Sequence, residues 1–478
     1  MRIGIVLVAL VALASIAAGS ADSSAQNPFV VRSGAELRLD GKPFRFGGAN
    51  IEWLGLVGYG PADPAGPRYP TPFEMFDAIG TAHEMGARVI RSQTMGDSVG
   101  CAACIEPSRG KFNRAAFVPI DRALKMAGQL GIRVIPTIVG DDAQAGGTGC
   151  VYLAWRGIDV PNCSLTNMDP FWTDPGVIAD VEQHIEVLLN HVNPYTHLAY
   201  KNDPTILGWD LLNGGGSPTP WTRTISAYVR SLDRHHLILS GAANVALQTV
   251  DACVSFVYPH WQLPLSFVRR WIDACRSVGK PYIVYEYGWD VTNYPTRSAL
   301  SGFLASLRVD PEIAGDAFWA LQAHADGHGW MPIPADTTDP VVARTGESGE
   351  WWAMYYTGVK TMVMSAADMA ARAQVIRRHD YAMAGAPTPP HYLPLAPLVT
   401  STAGGRIYWR GSGAARNYSI QRAPAATGPW TTICNHCVTD SSDGFVDLSV
   451  PAGVRWYRVV PYSLDGRQGQ VSAPRRAS

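Results

Sequence analysis

From about Val30 to Tyr381 the apolar positions alternate between two periods. Short apolar runs read as strands at Phe44–Asn50, Arg88–Ser92, Ile132–Val139, Thr205–Leu212, Leu237–Ser240, Cys253–Tyr258, Tyr282–Tyr287 and Ala314–Leu321. Between them, stretches with a helical period are predicted at Phe73–Met85, where Phe76, Ile79 and His83 recur at helix spacing, and at Phe117–Leu130, Val177–Val192, Trp221–Leu232 and Phe267–Val278. A closing helix is predicted at Ala366–His379, and little room is left for a helix between the fifth and sixth strands. Eight strands alternating with helices predict a parallel sheet closed as an α/β (β/α)8 barrel, spanning residues 28–384. An open doubly wound sheet is the alternative. No G-x-G-x-x-G or P-loop follows the first strand, so nucleotide binding has no support.

The pattern changes twice outside this region. Residues 385–396 carry Pro387, Pro389, Pro390 and Pro394 and read as a stiff linker. Beyond it, short strand-like runs at Arg406–Trp409, Tyr418–Arg422, Trp430–Ile433 and Trp456–Val460 predict a small all-β sandwich over 397–478. The run Tyr418–Arg422, then Gly428-Pro429-Trp430, Tyr457-Arg458-Val459 and Asp465-Gly466 resembles a fibronectin type III module. It is expected to be a spacer or accessory module, separable from the chemistry of the barrel. At the other end, Arg2, the apolar run Ile3–Ala18 and the small residues Gly19-Ser20-Ala21 have the form of a signal peptide over residues 1–25. The run is short for a membrane span, so the expectation is a secreted protein, extracellular or periplasmic, with no membrane contact in its mature form.

Cysteine usage agrees with export. The eight cysteines fall into local pairs, Cys101/Cys104, Cys150/Cys163, Cys253/Cys275 and Cys434/Cys437, whose short loops close at low entropic cost. Two pairs are C-x-x-C, which also suits zinc or redox chemistry, but they lie in different predicted domains. The 39 basic and 40 acidic side chains give a net charge of -1, so no nucleic-acid partner is expected. Hydrophobic residues make up 47% of the chain, which implies a large core, and 15 Trp and 19 Tyr leave flat faces to spare for sugar rings.

Catalytic groups in such a barrel sit at the C-terminal ends of its strands. Those ends carry Asn50, Glu52 and Trp53; Arg91 and Asp97; Asp141 and Asp142; Asp210 and Asn213; Tyr258, His260 and Trp261; Glu286, Trp289 and Asp290; and Trp319. Carboxylates and aromatic rings around one rim suit a sugar cleft. The run Gly208-Trp209-Asp210-Leu211-Leu212-Asn213, preceded by Asn202-Asp203-Pro204-Thr205-Ile206, resembles the fourth strand of glycoside hydrolase family 5, in particular its endo-β-1,4-mannanases. Lys280-Pro281-Tyr282-Ile283-Val284-Tyr285-Glu286-Tyr287-Gly288 resembles that family's seventh strand, which ends in the nucleophile. Asn50–Gly55, Arg91-Ser92-Gln93, Gly146-Gly147 and Trp155-Arg156-Gly157 also resemble secreted mannanases, and the likeness covers about 330 residues. It implies Glu286 as the catalytic nucleophile and Arg91, Asn213, Tyr258 and Trp319 as substrate-binding residues.

Two positions depart from that pattern. The family's acid/base Glu directly follows the Asn of strand four, where this chain has Gly214, then Gly215 and Gly216. The family's strand-six His falls at Phe256. A retaining glycosidase uses two carboxyl groups about 5–5.5 Å apart, one attacking the anomeric carbon and one protonating the departing oxygen. The resemblance therefore implies a secreted retaining hydrolase of a β-linked polysaccharide with its proton donor missing, a monomer needing no metal or organic cofactor. The alternative is a catalytically weak barrel that binds glycan without cleaving it. Asp141, Asp142 and Glu52 are the candidate replacement acids, though charged loop residues are usually only solvated. His324-x-Asp326-x-His328 has metal-ligand residue types, with polar loop residues the plainer account. Asn162-Cys163-Ser164 and Asn417-Tyr418-Ser419 match the glycosylation sequon.

Overall fold

The computed structural model describes residues 28–58, 66–140, 149–161, 163, 167–213, 216–331, 352–361, 363–440, 444–449 and 455–477. The leader at 1–25, Asp141, Asp142, Gly146, Gly147, Asn162 and Gly214 lie outside them.

Three short strands, β1 (Val31–Ser33), β2 (Glu36–Leu39) and β3 (Lys42–Pro43), form a small antiparallel sheet ahead of the barrel. At two to four residues each they are too short to carry a readable alternation. The barrel strands are β4 (Phe46–Asn50), β5 (Val89–Ser92), β6 (Arg133–Pro136), β7 (Gly208–Asp210), β8 (Leu237–Gly241), β9 (Ala252–Val257), β10 (Tyr282–Tyr287) and β11 (Ile313–Phe318). Their order, β6-β5-β4-β11-β10-β9-β8-β7, is closed by parallel bridges Val134 to Ile206 and Thr137 to Asp210. This is the expected (β/α)8 barrel. Helices pack on the outer face of the strands and side chains fill the barrel inside, which is why all six residues of β10 and of β11 are buried.

The helices are α1 (Pro72–Glu84), α2 (Phe117–Gln129), α3 (Gly149–Trp155), α4 (Asp169–Thr173), α5 (Pro175–Asn190), α6 (Thr219–Leu232), α7 (Leu265–Ser277), α8 (Arg297–Val309) and α9 (Ala366–Met383). Local sequence sets their starts. Thr71 and Glu74 form a capping box on α1, with Pro72 in its first turn, and Arg68 clamps the Glu74 carboxylate at 2.8 and 2.9 Å. Asp174 caps α5 by accepting from the Gly176 and Val177 amides. Helix α8, between the seventh and eighth strands, was not among the predicted elements. Its Leu300, Phe303, Leu304 and Leu307 are buried at helical spacing, so the signal was present. In α1 the buried stripe runs through Met75, Ala78, Ile79 and Ala82, whereas Phe76 is half exposed.

The structure joins all four cysteine pairs, with Cα separations of 5.0 Å for Cys101–Cys104, 5.8 Å for Cys150–Cys163, 6.4 Å for Cys253–Cys275 and 5.6 Å for Cys434–Cys437. The third ties β9 to α7. Among the described residues no helix is long and apolar enough to cross a membrane.

After α9 the chain builds two antiparallel sheets. One holds β12 (Leu398–Ser401), β13 (Arg406–Arg410) and β16 (Phe445–Val446); the other holds β14 (Ala415–Ala423), β15 (Thr431–Val438), β17 (Trp456–Ser463) and β18 (Arg475–Arg476). They share a core of Val399, Ile407, Trp409, Tyr418, Ile420, Tyr457 and Val459. The connecting segment does not hang free. Arg377 of α9 donates to the Pro389 carbonyl at 2.8 Å, and His391 lies 2.7 Å from Glu84 of α1. His324, Asp326 and His328 are brought to this junction rather than to one another. His324 sits between Asp77 of α1, 2.9 Å from Nδ1, and Asp440 of the sandwich, 3.0 Å from Nε2, with Trp330 stacked at 3.7 Å. Arg410 reaches Asp326, and the His328 ring lies 4.6 Å from Tyr408. The loop is thus a docking surface for the sandwich, not a metal centre.

Burial alone would lower the His324 pKa, but the Asp77 and Asp440 carboxylates outweigh it and hold the imidazole up at about 10. A group raised above its ordinary 6.5 stabilises the fold fully below that value, and the contribution is lost as pH rises through its folded value. The melting temperature should therefore fall between pH 7 and pH 10, and His324→Gln should start a few degrees lower at pH 7 and show a flatter profile. Parallel profiles for the two proteins would remove His324 as the linked group.

Candidate active site

One guanidinium organises the upper end of the barrel. Arg91, on β5, is fully buried. Strand register delivers its partners: Asn50 is its Cα neighbour in the β4–β5 pairing, and its Nη1 donates to Asn50 Oδ1 at 3.2 Å. Nε and Nη2 donate to Asp210 Oδ2 of β7 at 3.1 and 2.7 Å, and Nη2 also bonds the Asn213 amide oxygen. Nη1 donates to Glu286 Oε2 of β10 at 3.1 Å. Tyr285 lies 4.1 Å beneath the guanidinium as a cation–π partner, and Phe256 stacks on Tyr285 at 5.2 Å. Burial alone would lower the Arg91 pKa; Asp210, Tyr285 and Glu286 together hold it above its ordinary value. Burial pushes the Asp210 carboxyl up, against the pull of Arg91 and of Thr137, whose hydroxyl donates at 3.0 Å.

Glu286 receives a second donor, Tyr258 Oη at 2.8 Å from Oε1. Burial and the Glu286 charge raise the Tyr258 pKa well above its ordinary value, so the phenol stays protonated and donates. Two donors on separate oxygens orient the carboxylate. Arg91, Asn213, Tyr258 and Glu286 thus form one connected set, in which Asn213 and Glu286 keep 8% and 6% exposure while Arg91 and Tyr258 keep none.

Trp319 follows β11 and is half-buried, with its amide bonded to the Tyr287 carbonyl at 3.0 Å and its ring 5.6 Å from Trp352. Of the other tryptophans read as rim residues, Trp53 and Trp289 are buried, and Trp289 Nε1 donates to the Trp352 carbonyl at 2.8 Å. These two pack rather than present a face. Trp261 is 37% exposed, its ring 4.3 Å from Tyr258. The loop after β10 is fixed by Asp290, which accepts from the Thr292 and Asn293 amides and from Asn293 Nδ2 at 2.8 Å. Asn293 in turn meets the His260 ring of the loop after β9.

Sequence reasoning quoted Asn50 and Asp210 only as strand ends, and Tyr285 and Phe256 without a role beside the guanidinium. The neighbouring in-register positions of Asn50 and Arg91 were the available signal. Glu52, a candidate replacement acid, has its carboxyl enclosed. Gln322 donates to one oxygen at 3.3 Å, and the other has no hydrogen-bond partner among the described residues. Burial raises its pKa to about 7, against smaller lowering by a backbone hydrogen bond and Gln322.

The family described as GH family 5 beta-mannosidase-like matches residues 27–260. The mannan endo-1,4-beta-mannosidase 2 of Oryza sativa subsp. japonica is 30% identical over 320 residues, 56% of this chain and 68% of that protein. The mannan endo-1,4-beta-mannosidase 3 of Arabidopsis thaliana is 28% identical over 321 residues, 57% of this chain and 74% of that protein. An endo-1,4-beta-mannanase structure from Rhizomucor miehei aligns with a TM-score of 0.56 at 22% identity, over 75% of this chain and 99% of that one, a likeness of fold. The barrel, its order of strand ends and its relatives place this chain in glycoside hydrolase family 5, among the mannosidase-like members.

Proposed function

We propose that the protein is an exported, retaining-type glycosidase that takes a β-linked, mannan-type polysaccharide, with Glu286 as nucleophile. The observation that carries this reading is the Glu286 carboxylate, oriented by Arg91 and Tyr258 at the strand ends of a mannosidase-like barrel. Asn213, whose amide oxygen is committed to Arg91, would donate to a sugar hydroxyl through its nitrogen, and Trp319 would supply a stacking face. The names of the plant relatives support mannan as the substrate class. The leader-like segment and four disulfides support export. The two-sheet module, fibronectin type III-like in its sequence runs, would act as an accessory unit fixed to the barrel.

In this reading Glu286 attacks the anomeric carbon, the bond to the leaving oxygen breaks, and the leaving group takes the bonding pair. A sugar alkoxide needs a proton at that moment, and general acid help is worth on the order of 10²–10⁴-fold. Gly214 stands in sequence where the family has that acid. Glycans should therefore turn over slowly, whereas a dinitrophenyl β-mannoside, which leaves as a phenolate, should react readily. Azide should then attack the glycosyl–Glu286 ester, displace the carboxylate and release a β-glycosyl azide. Gly214→Glu should raise mannan hydrolysis by roughly 10²-fold. Glu52→Gln should leave the aryl glycoside rate unchanged. Full mannan turnover by the wild type that collapses in Glu52→Gln would instead make Glu52 the acid. Glycan binding with no reaction of any activated glycoside would favour the second reading, a binding barrel, which Gly214 supports.

Glu286 also has a stability signature. Arg91 is held by Asp210 through two hydrogen bonds as well as by Glu286, so it keeps a carboxyl partner when Glu286 is changed. Glu286→Gln keeps an acceptor for Arg91 and should hold or raise the melting temperature while abolishing reaction with aryl mannosides. A drop of many degrees would make Glu286 a structural partner of Arg91 instead.

A further inference from the structure

A second cluster of buried acids lies on the helix side of the barrel wall. Gly47 of β4 pairs in register with Asp316 of β11. A Cβ at Gly47 would meet Asp380 Oδ1 at 2.2 Å, so the absence of a side chain there lets α9 seat its Asp380 directly against the strand. The preceding residue on α9, His379, places Nε2 at 2.9 and 3.1 Å from the two Asp316 oxygens. Ligand-capable atoms of Asp316, His379 and Asp380 all lie within 4.8 Å of one another, and all three residues are buried.

The polar groups here are not satisfied among themselves. Both Asp380 oxygens, His379 Nδ1 and Tyr287 Oη are buried without a hydrogen-bond partner among the described residues. Burial and the neighbouring Asp316 charge push the Asp380 carboxyl well above its usual range. Burial with the Asp316 and Asp380 charges does the same to the Tyr287 phenol. The cation whose charge reaches Asp316 is Arg45, and its donors are already spent on the carbonyls of Leu307, Arg308, Asp310 and Ile313. Two buried carboxyl groups with no protein donor for one of them call for a counter-charge or a retained proton.

We propose that Asp316, His379 and Asp380 bind one divalent transition-metal ion of the zinc or manganese class, as a structural clasp between α9 and strands β4 and β11. One imidazole nitrogen with carboxylate oxygens is the donor set such ions take, softer than the all-oxygen set of calcium. Neighbouring ligands of an ion bound at about 2.1 Å stand about 3 Å apart, the spacing already held by His379 and Asp316. Occupation would give Asp380 its missing partner. It would bind as a carboxylate, its proton released on uptake, so affinity should fall toward acid pH. The site closes on protein ligands, away from Glu286, and takes no part in glycoside chemistry.

The test uses the full chain, expressed with zinc and manganese supplied and dialysed free of loose metal. Elemental analysis should find about one zinc or manganese ion per chain. Chelation with EDTA should lower the melting temperature by about 5 °C or more, and added Zn²⁺ or Mn²⁺ should restore it. Asp380→Asn should lose both the ion and the response to EDTA. Metal-free protein whose melting is unmoved by EDTA and by either added ion would overturn the proposal and leave Asp380 as a neutral acid. In that case Asp380→Asn should melt no lower than the wild type. Should that variant fail to fold, the wild-type metal content and chelator response decide alone.

Discussion

The guanidinium of Arg91 is the constraint that fixes the upper half of this barrel. Arginine cannot shed its charge, so a fully buried one must be met by donors' partners on every side. Here they arrive from β4, β7 and β10, from the turn holding Asn213, and from the Tyr285 ring below. Removing one partner of a buried pair costs about 3–5 kcal/mol. Register and site are therefore the same constraint. A one-residue slip of β5 would turn Arg91 to the helix face and strand Asp210 without its cation. Phe256 also finds its place here, extending the stack beneath the guanidinium through Tyr285 where a histidine would bring further polar atoms to satisfy.

The junction with the sandwich repeats this logic with a weaker base. His324 is buried between Asp77 and Asp440, and Tyr418 donates to Asp440 at 3.0 Å. A charged imidazole there resolves two carboxylates from two different parts of the chain. Unlike Arg91 it can lose its proton, so a pH dependence is expected of this joint. The linker, pinned by Arg377 and His391, shortens the reach over which the sandwich could move.

Much of this was legible in the chain, for physical reasons. Parallel strands buried on both faces leave continuous apolar runs, and Tyr282–Tyr287 was read with its observed bounds. Strand ends named Arg91, Asn213, Tyr258 and Glu286 because barrels gather their C-terminal strand ends at one rim. Three kinds of feature were not legible. β1–β3 are too short for a period. The burial of Trp53 and Trp289, against the exposure of Trp261, depends on loop paths that alternation does not encode. And the partners of His324 lie 247 and 116 positions away in sequence, so His324-x-Asp326-x-His328, most plainly polar loop residues, gives no sign that its contacts run to α1 and the sandwich.

Two carboxylates, Asp210 and Glu286, meet the one guanidinium of Arg91. Stability asks only that Arg91 be neutralised, and Asp210 does that through two hydrogen bonds from the guanidinium. Glu286 brings a second carboxylate to the same guanidinium, in excess of the one that Asp210 supplies, in a place where desolvating a charge costs several kcal/mol. A glutamine could accept from Arg91 through its single amide oxygen without that cost, though its NH2 group could not accept from Tyr258. The excess charge has a use if something electron-poor arrives opposite it, as the anomeric carbon does when a glycosidic bond breaks. Under the proposed function Gly214 would leave the departing oxygen without its donor, while Glu286 keeps the hydrogen bonds from Arg91 and Tyr258. Under the proposed function that arrangement favours forming a glycosyl ester from a ready leaving group over inert binding, since inert binding calls for hydrogen-bond donors and aromatic faces but not for a second carboxylate on the same guanidinium.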